Sequence, residues 1–587
     1  MKNSLFIRLS MLAMLAGQYL GAQTIPLDWV EHGISFTNSS HVMRALPDSH
    51  GNIVMVGYFS GTLIIGNDTL VSANVPDVDI YIAKYDSTGT ELWADSYTSG
   101  NYSYIRDIAI DNNDNIYICG SFSNPTLTIG NTVIINTGWA CAYAAKFDIN
   151  GNIVWARTFD AGISPSNSNE VKGITVDNAG NIYVTGCFAS DTLKTGNLSV
   201  NFKYGPGGTG ITNVFVAKLL NNGTPVWLKG ETQGSNPGGN EGRIITTDNN
   251  GNVYVGGVIT GLWILLDTIT LHVSQFQEGF CAMLDPLTGN YIWARVIKGF
   301  PSAIVSTYEE VTGLMTDDYG NLYVGGNYAG VVCTFDSLVE VTSPVNPQNP
   351  DGYKIFLFKV NAATGLPYWG RGYGDLANTD VFTSGRWGIN DAGTHIGLTG
   401  AYQGAATFGS IQFPIAQNFS FDAFLLEMDS AGTIFRGLPI SGDPWEVGFG
   451  VAYDHFDKMI TCGYFNGPSV SFGNQFTLFD TSPANMWRNI YLARFADAAP
   501  TAVNTINAEI PFTFYPNPAS SEITLKRNTK SKCTIRIYDD HGRVVHEIKN
   551  SDASGTILID VSGLATGHYI IECTDETTVF HKSFIKL

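Results

Sequence analysis

Charge is scarce in this sequence, and positive charge is scarcer. Only 14% of the 587 residues are charged, with 32 Lys and Arg against 52 Asp and Glu, a formal net charge of −20. An acidic body without a basic stripe repels a phosphate backbone, so no nucleic-acid partner is expected. Cysteine is also sparse: eight residues at irregular spacings, with no CxxC, which removes the usual zinc patterns. There is no HExxH and no GxSxG, and the ten histidines make no close pair. GPGGTG (205–210) fits a dinucleotide-loop pattern, but no helix follows it to hold a pyrophosphate, so the match reads as accidental. No apolar run approaches the ~20 residues of a membrane helix, so no transmembrane segment is expected. The longest candidate, LSMLAMLA (9–16), follows Lys2 and Arg8 and precedes Gly21 and Ala22, the pattern of a secretory signal over residues 1–22.

What the chain has in quantity is glycine (64 residues), aromatics (12%) and apolar side chains (44%), a composition of strands and turns. Its length requires more than one core. One phrase recurs seven times, an Asp followed by an apolar run that closes on Gly, as in DNNDNIYICG and DNNGNVYVGG. The closing residues are Gly57, Gly120, Gly186, Gly257, Gly326, Gly400 and Gly463. A regular period of this length marks one supersecondary unit repeated along the chain. Each unit has a second landmark, a strand ending in a Lys-containing run, a Gly turn and then Trp, as in AYAAKFDINGNIVWA. Alternating apolar residues on either side of Asp- and Gly-containing turns predict four strands per unit, a to d, paired as antiparallel hairpins.

The expected fold class is all-β: a seven-bladed β-propeller followed by a small C-terminal β-sandwich. Closure supplies an internal check. The seventh unit stops at NIYLARFAD (489–497) without its Trp strand, while PLDWVEHGISF (26–36) is a Trp strand lacking its companions. The N-terminal strand is therefore expected to complete the last blade and close the ring, leaving no open edge.

The D-x-x-G-N-[IV]-Y-V-x-G, F-x-A-K-x-D and G-x-x-x-W-A strands resemble the exported bacterial propeller repeats called SBBP repeats, over roughly Pro26 to Asp497. Units six and seven depart from the pattern, with THIGLTG in place of GNIYVTG and Phe435-Arg436 in place of the Trp-Ala pair. The resemblance implies a fold and no reaction. A featureless linker over 498–510 leads to a tail (511–587) with seven short strand-like runs and nine residues of each charge sign. FYPNPASSEITL, IRIYDDHGRVV, DVSGLATGHYIIE and the terminal KSFIKL resemble the type A C-terminal sorting domain of the type IX secretion system. That resemblance implies a partner, the secretion machinery, and a route across the outer membrane of a Gram-negative bacterium to the surface or beyond.

No catalytic, cofactor-binding or metal-ligating residue is singled out. Asp48, Asp111, Asp177, Asp248, Asp317, Asp391 and Asp454, one per unit, read as caps of their own a–b turns and not as a gathered calcium site. The strand-d tryptophans read as packing between units, and the cysteines of the repeats as free core residues. Cys533 and Cys573 lie in separate strands of the tail and form a candidate disulfide. Loop aromatics Tyr204, Tyr308, Tyr353 and Tyr373 are candidates for carbohydrate contact. The expected function is a non-catalytic binding or adhesion module for an extracellular glycan, protein or surface. The alternative is a secreted polysaccharide hydrolase or lyase with axial carboxylates. The b–c and d–a connections, such as 189–213, 229–242 and 331–353, are long and variable and share one end of the strands, the expected ligand face. Substitutions of exposed residues there are expected to change stability by no more than about 0.5 kcal/mol. Thermal melts compared with those of strand variants check this.

Overall fold

The computed structural model describes residues 24–36, 40–72, 75–160, 169–189, 192–201, 212–231, 233–234, 239–273, 277–300, 308–342, 352–374, 380–383, 385–414, 416, 420–480, 488–496, 512–516, 518–527, 533–538, 544–551, 556–574 and 579–587. Tyr204 and the side chains of Cys533 and Cys573 lie outside the described residues. The chain is all-β and separates into two compact units, Met1–Ala498 and Ala499–Leu587.

In the first unit the repeats form antiparallel sheets in the order a-b-c-d. The second repeat shows the pattern: Ser103–Ile110, Ile116–Phe122, Cys141–Phe147 and Ile153–Phe159, each paired with the next. The b and c strands are buried along their whole length, while d strands alternate, as inner and outer positions of a sheet require. The seventh repeat contributes Glu446–Tyr453, Met459–Phe465 and Asn489–Phe495, and its outer position is filled by Leu27–Ser35, with Val30 opposite Ala493. The b–c connections are not plain loops. Each carries a further two-stranded hairpin, for example Thr192–Thr195 with Leu198–Asn201 and Val332–Phe335 with Val339–Thr342. Several dock on the preceding repeat's outer strand: Val332–Phe335 pairs with Tyr291–Phe300, and Thr62–Ile65 pairs with Leu27–Ser35.

The tryptophans build the joints between repeats. Each reaches over the c–d turn of the next one: Trp29 over Gly89, Trp93 over Gly151, Trp155 over Gly223, Trp227 over Gly289, Trp293 over Gly365 and Trp369 over Gly432. Those glycines have φ between +67° and +89° and lie against an indole, so both conformation and space demand glycine. Four indole N–H groups donate to turn carbonyls, as Trp293 does to Ala362 at 3.1 Å. The motif lysines join in: Lys146 and Lys218 lie over Tyr117 and Tyr183 and reach Asn221 and Pro286 of the following turn. Phe435 departs from this rule for a structural reason. The repeat after it takes its outer strand from the N-terminus and so has no c–d turn for a tryptophan to cover.

The six repeat cysteines, Cys119, Cys141, Cys187, Cys281, Cys333 and Cys462, are free and buried, as core side chains. In the tail, Phe512–Tyr515, Glu522–Arg527 and Thr556–Asp560 form one sheet. Val544–Ser551, Cys533–Tyr538, Gly567–Thr574 and Val579–Lys586 form a second. Ile523, Leu525 and Ile559 from the first pack with Ile535, Ile537, Ile571 and Phe584 from the second.

Trp293→Ala is expected to cost roughly 3–5 kcal/mol, the range for deleting a buried aromatic. Phe435→Ala, with no turn beneath it, is expected to cost clearly less. Denaturant or thermal unfolding of the two variants against wild type checks the ranking.

Candidate functional site

The closing glycine of each repeat and the cavity at the centre of the first unit have one cause. Strand a is bulged opposite that glycine, at Met43, Arg106, Lys172, Arg243, Thr312 and Phe449 in six repeats. The bulge brings a backbone carbonyl so close that a Cβ on Gly120 would stand 1.8 Å from Tyr104 O, and one on Gly257 1.9 Å from Glu241 O. A β-bulge also re-aims a side chain. All six bulged side chains line one cavity of 340 Å³, with Glu310, Thr383, Gly385 and Arg386. In the sixth repeat strand a is broken into Val381–Phe382 and Gly388–Ile389, and Arg386 occupies the gap.

Charge in the cavity is arranged as a chain of ion pairs. Arg106 binds Glu170 at 2.5 Å, and Lys172 bridges Glu170 at 3.3 Å and Glu241 at 3.1 Å. Arg243 continues from Glu241 at 3.1 Å to Glu310, which also accepts from Tyr308 and Asn327. Beneath, Asp107 joins Arg44 at 2.7 Å and Arg386 at 3.1 Å, and Arg386 also donates to Lys172 O from across the cavity. Burial alone would raise the Glu170 carboxyl, but Arg106 and Lys172 hold it below its ordinary value. Glu241 is likewise lowered against its burial by Lys172 and Arg243. Every carboxylate of this group is engaged by a cation.

Aromatic clusters flank the cavity. Tyr308 and Tyr353 meet edge to face at 5.4 Å, beside a 220 Å³ recess with Asn327, Asp380, Phe382 and Phe421. On the other side His41 stacks on Tyr58 at 4.7 Å and Tyr58 meets Tyr104 at 5.0 Å. Burial, then Arg488 and Arg106, lower His41 to about 3, so it is neutral at physiological pH.

The structure brings Tyr308 and Tyr353 together and removes Tyr373 from the candidates. Tyr373 is 7% exposed and its hydroxyl donates to Gly432 O at 2.7 Å, because the strand-d register turns it into the core. The turn-cap reading holds at six aspartates: Asp111, for instance, accepts from the Asn113 and Asn115 amides and the Tyr117 hydroxyl. It fails at Asp391. There the turn is shifted by one residue, Asn390 accepts from the Thr394 and His395 amides, and Asp391 pairs instead with His455 at 2.8 Å. Asp48, His50 and Asp114 lie within reach of a shared ion. Their oxygens are already committed, however, Asp48 to its own turn and Lys84, and Asp114 to Ser49 and His50. Sequence reasoning missed the bulged residues. Arg106, Lys172 and Arg243 each stand at the same distance before a capping Asp (Asp111, Asp177, Asp248), a basic residue in register in three successive repeats.

Among the described residues no helix is long and apolar enough to cross a membrane, which says nothing of β-barrels. Residues 513–587 match the family described as "Secretion system C-terminal sorting domain", and residues 162–186 match "Beta-propeller repeat". An uncharacterized WD repeat-containing protein of Acanthamoeba polyphaga mimivirus is 22% identical over 516 residues, covering 74% of this chain. The chain spans only 36% of that relative's length. Among solved structures, a chain of the mitotic checkpoint complex is similar at 10% identity and TM-score 0.36, covering 84% of this chain and 99% of that one. PorZ, described as an essential surface component of the type-IX secretion system of Porphyromonas gingivalis, is similar at 10% identity and TM-score 0.16, with 95% and 100% covered. Likenesses this distant carry no argument about activity.

Because Glu170 and Glu241 are held below their ordinary values, their stabilisation is complete above about pH 4.5 and is lost as pH falls further through the folded values. Glu241→Gln is expected to cost roughly 3 kcal/mol at pH 7 and to flatten the loss of stability below pH ~4.5. Thermal melts at pH 7 and in acid check both.

Proposed function

From a chain that carries an SBBP-type β-propeller repeat and a type IX C-terminal sorting domain, we propose an exported propeller that acts at the cell surface as a non-catalytic binding module. In this reading residues 1–22 are a signal peptide, 23–497 a closed seven-bladed propeller, 498–510 a linker and 511–587 the sorting domain. Two observations support closure. The N-terminal strand pairs with Asn489–Phe495, and the first strands touch in cyclic order, the last repeat meeting the first.

The observation that carries the binding reading is the state of the cavity's carboxylates. A general acid near neutral pH needs a raised carboxyl, and a nucleophile or base needs a free one. Glu170 and Glu241 lie below their ordinary values, and Glu170, Glu241, Glu310 and Asp107 are all engaged by cations. The fixed charges beside Tyr308–Tyr353 and Tyr58–Tyr104 suit recognition of a polar polymer, with sugar faces against the rings and hydroxyls on the ion-pair chain. An extracellular glycan is therefore the favoured ligand, ahead of a protein surface.

The test is a glycan and polysaccharide array probed with the purified protein, with released reducing ends measured in parallel. Binding without product, weakened at least tenfold by Tyr308→Ala or Arg243→Ala, is the expected result. Product release abolished by Glu310→Gln would replace the binder with a hydrolase or lyase.

A further inference from the structure

Each repeat has one equivalent position at the entry to strand c, three residues before the partner of its closing glycine. The seven residues there are Val78, Ala140, Thr212, Gln277, Tyr353, Phe421 and Arg488. Only the fifth and sixth repeats, which are neighbours, carry an aromatic ring at this position. Between them strand a adds two more rings, Tyr308 from the fifth repeat and Phe382 from the sixth. These four half-buried rings line the 220 Å³ recess. They form two edge-to-face pairs, Tyr308 with Tyr353 at 5.4 Å and Phe382 with Phe421 at 5.5 Å.

Polar groups in the recess are matched with one exception. Asn327 gives its two amide hydrogens to Glu310 at 2.7 Å and to the Thr383 carbonyl at 2.8 Å, and accepts from the Thr383 amide. Glu310 also accepts from the Tyr308 hydroxyl, and its charge is met by Arg243. Asp380 is different. Its Oδ1 accepts from the Tyr353 amide at 3.1 Å, but among the described residues its Oδ2 has no donor and no Lys or Arg pairs with it. The recess therefore combines four rings, whose faces attract positive charge, with one carboxylate oxygen that no protein cation answers. Its volume is below the ~300–1,000 Å³ of sites that enclose a drug-sized ligand, so it suits one small ring or chain end.

We propose that the recess between the fifth and sixth repeats binds a protonated primary amine of the ligand, with Asp380 Oδ2 accepting its N–H and the rings of Tyr308, Tyr353, Phe382 and Phe421 enclosing the charge. A primary ammonium has three N–H donors, so it can satisfy the carboxylate and face the rings at once. A quaternary ammonium has no N–H for Asp380, and an acylated amine has no charge for the rings. With the glycan reading above, on which this part rests, the bearer is an amino sugar whose nitrogen is not acylated. Its ring face lies against a tyrosine and its ammonium points to Asp380.

The test titrates the whole purified protein, by calorimetry, with a short chitosan oligomer, with its fully N-acetylated counterpart and with n-butylammonium chloride. A salt concentration of about 0.15 M screens the long-range pull of the acidic body on a polycation. The free-amine oligomer is expected to bind about tenfold tighter than the acetylated one, the scale of a hydrogen bond to a charged group. Asp380→Asn keeps the acceptor for the Tyr353 amide and should abolish that preference. Phe421→Leu keeps the bulk without the ring face and should weaken the free-amine oligomer about threefold. Should Phe421→Leu fail to fold, Asp380→Asn carries the test alone. Equal or tighter binding of the acetylated oligomer, or a preference unchanged in Asp380→Asn, would overturn the proposal and leave the glycan reading standing. Butylammonium binding that is lost in Asp380→Asn, with neither oligomer bound, would uphold the amine site and remove the sugar as its bearer. Absence of binding by all three would overturn the proposal outright.

Discussion

The close approach of a strand-a carbonyl to the closing glycine of strand b organises this molecule. Any side chain at Gly57, Gly120, Gly186, Gly257, Gly326, Gly400 or Gly463 would drive a Cβ into the opposing backbone. In six repeats the same bulge that creates the contact turns one residue of the inner strand towards the cavity. Scaffold and site are therefore one feature seen from two sides. The glycine is fixed by geometry, and the residue facing the cavity is free to vary. The chain uses that freedom unevenly, placing Arg106, Lys172 and Arg243 in three consecutive repeats and Met43, Thr312 and Phe449 in others.

Joints between repeats follow a second constraint, a flat indole over a turn that only glycine can make. It is satisfied wherever a repeat is followed by an intact c–d turn, and it lapses at the one joint where the N-terminal strand stands in for strand d. Phe435 is the residue-level trace of that borrowing. The seam of the first unit thus differs from its other joints in packing.

Much of this was legible in the sequence because it depends on short-range chemistry. The capping aspartates, the strand-d tryptophans, the borrowed first strand and the seven runs of the tail all follow from turn residues and alternation. The inserted hairpins were not read, although Gly66, Gly130 and Gly196 each open a two-residue turn of the hairpin kind, with φ of +54° to +56°. Their strands are only four residues long and were absorbed into connections treated as loops. Arg386 was hidden for another reason. Its partners Asp107 and Lys172 lie four and three repeats earlier, and no local pattern reports a contact made across a cavity. Tyr373 was misjudged because one register step along strand d separates a buried ring from an exposed one.

The central claim is that the N-terminal strand is a structural member of the last repeat. Amide hydrogen exchange of Leu27–Ser35, followed by mass spectrometry on the whole protein, tests it most directly. If the pairing of Val30 with Ala493 and Gly33 with Ile490 holds this strand in the last repeat, the segment exchanges as slowly as Asn489–Phe495, and the two lose protection together as denaturant is added. Rapid exchange of Leu27–Ser35 beside a protected Asn489–Phe495 would contradict the account and leave the seventh repeat with an open edge.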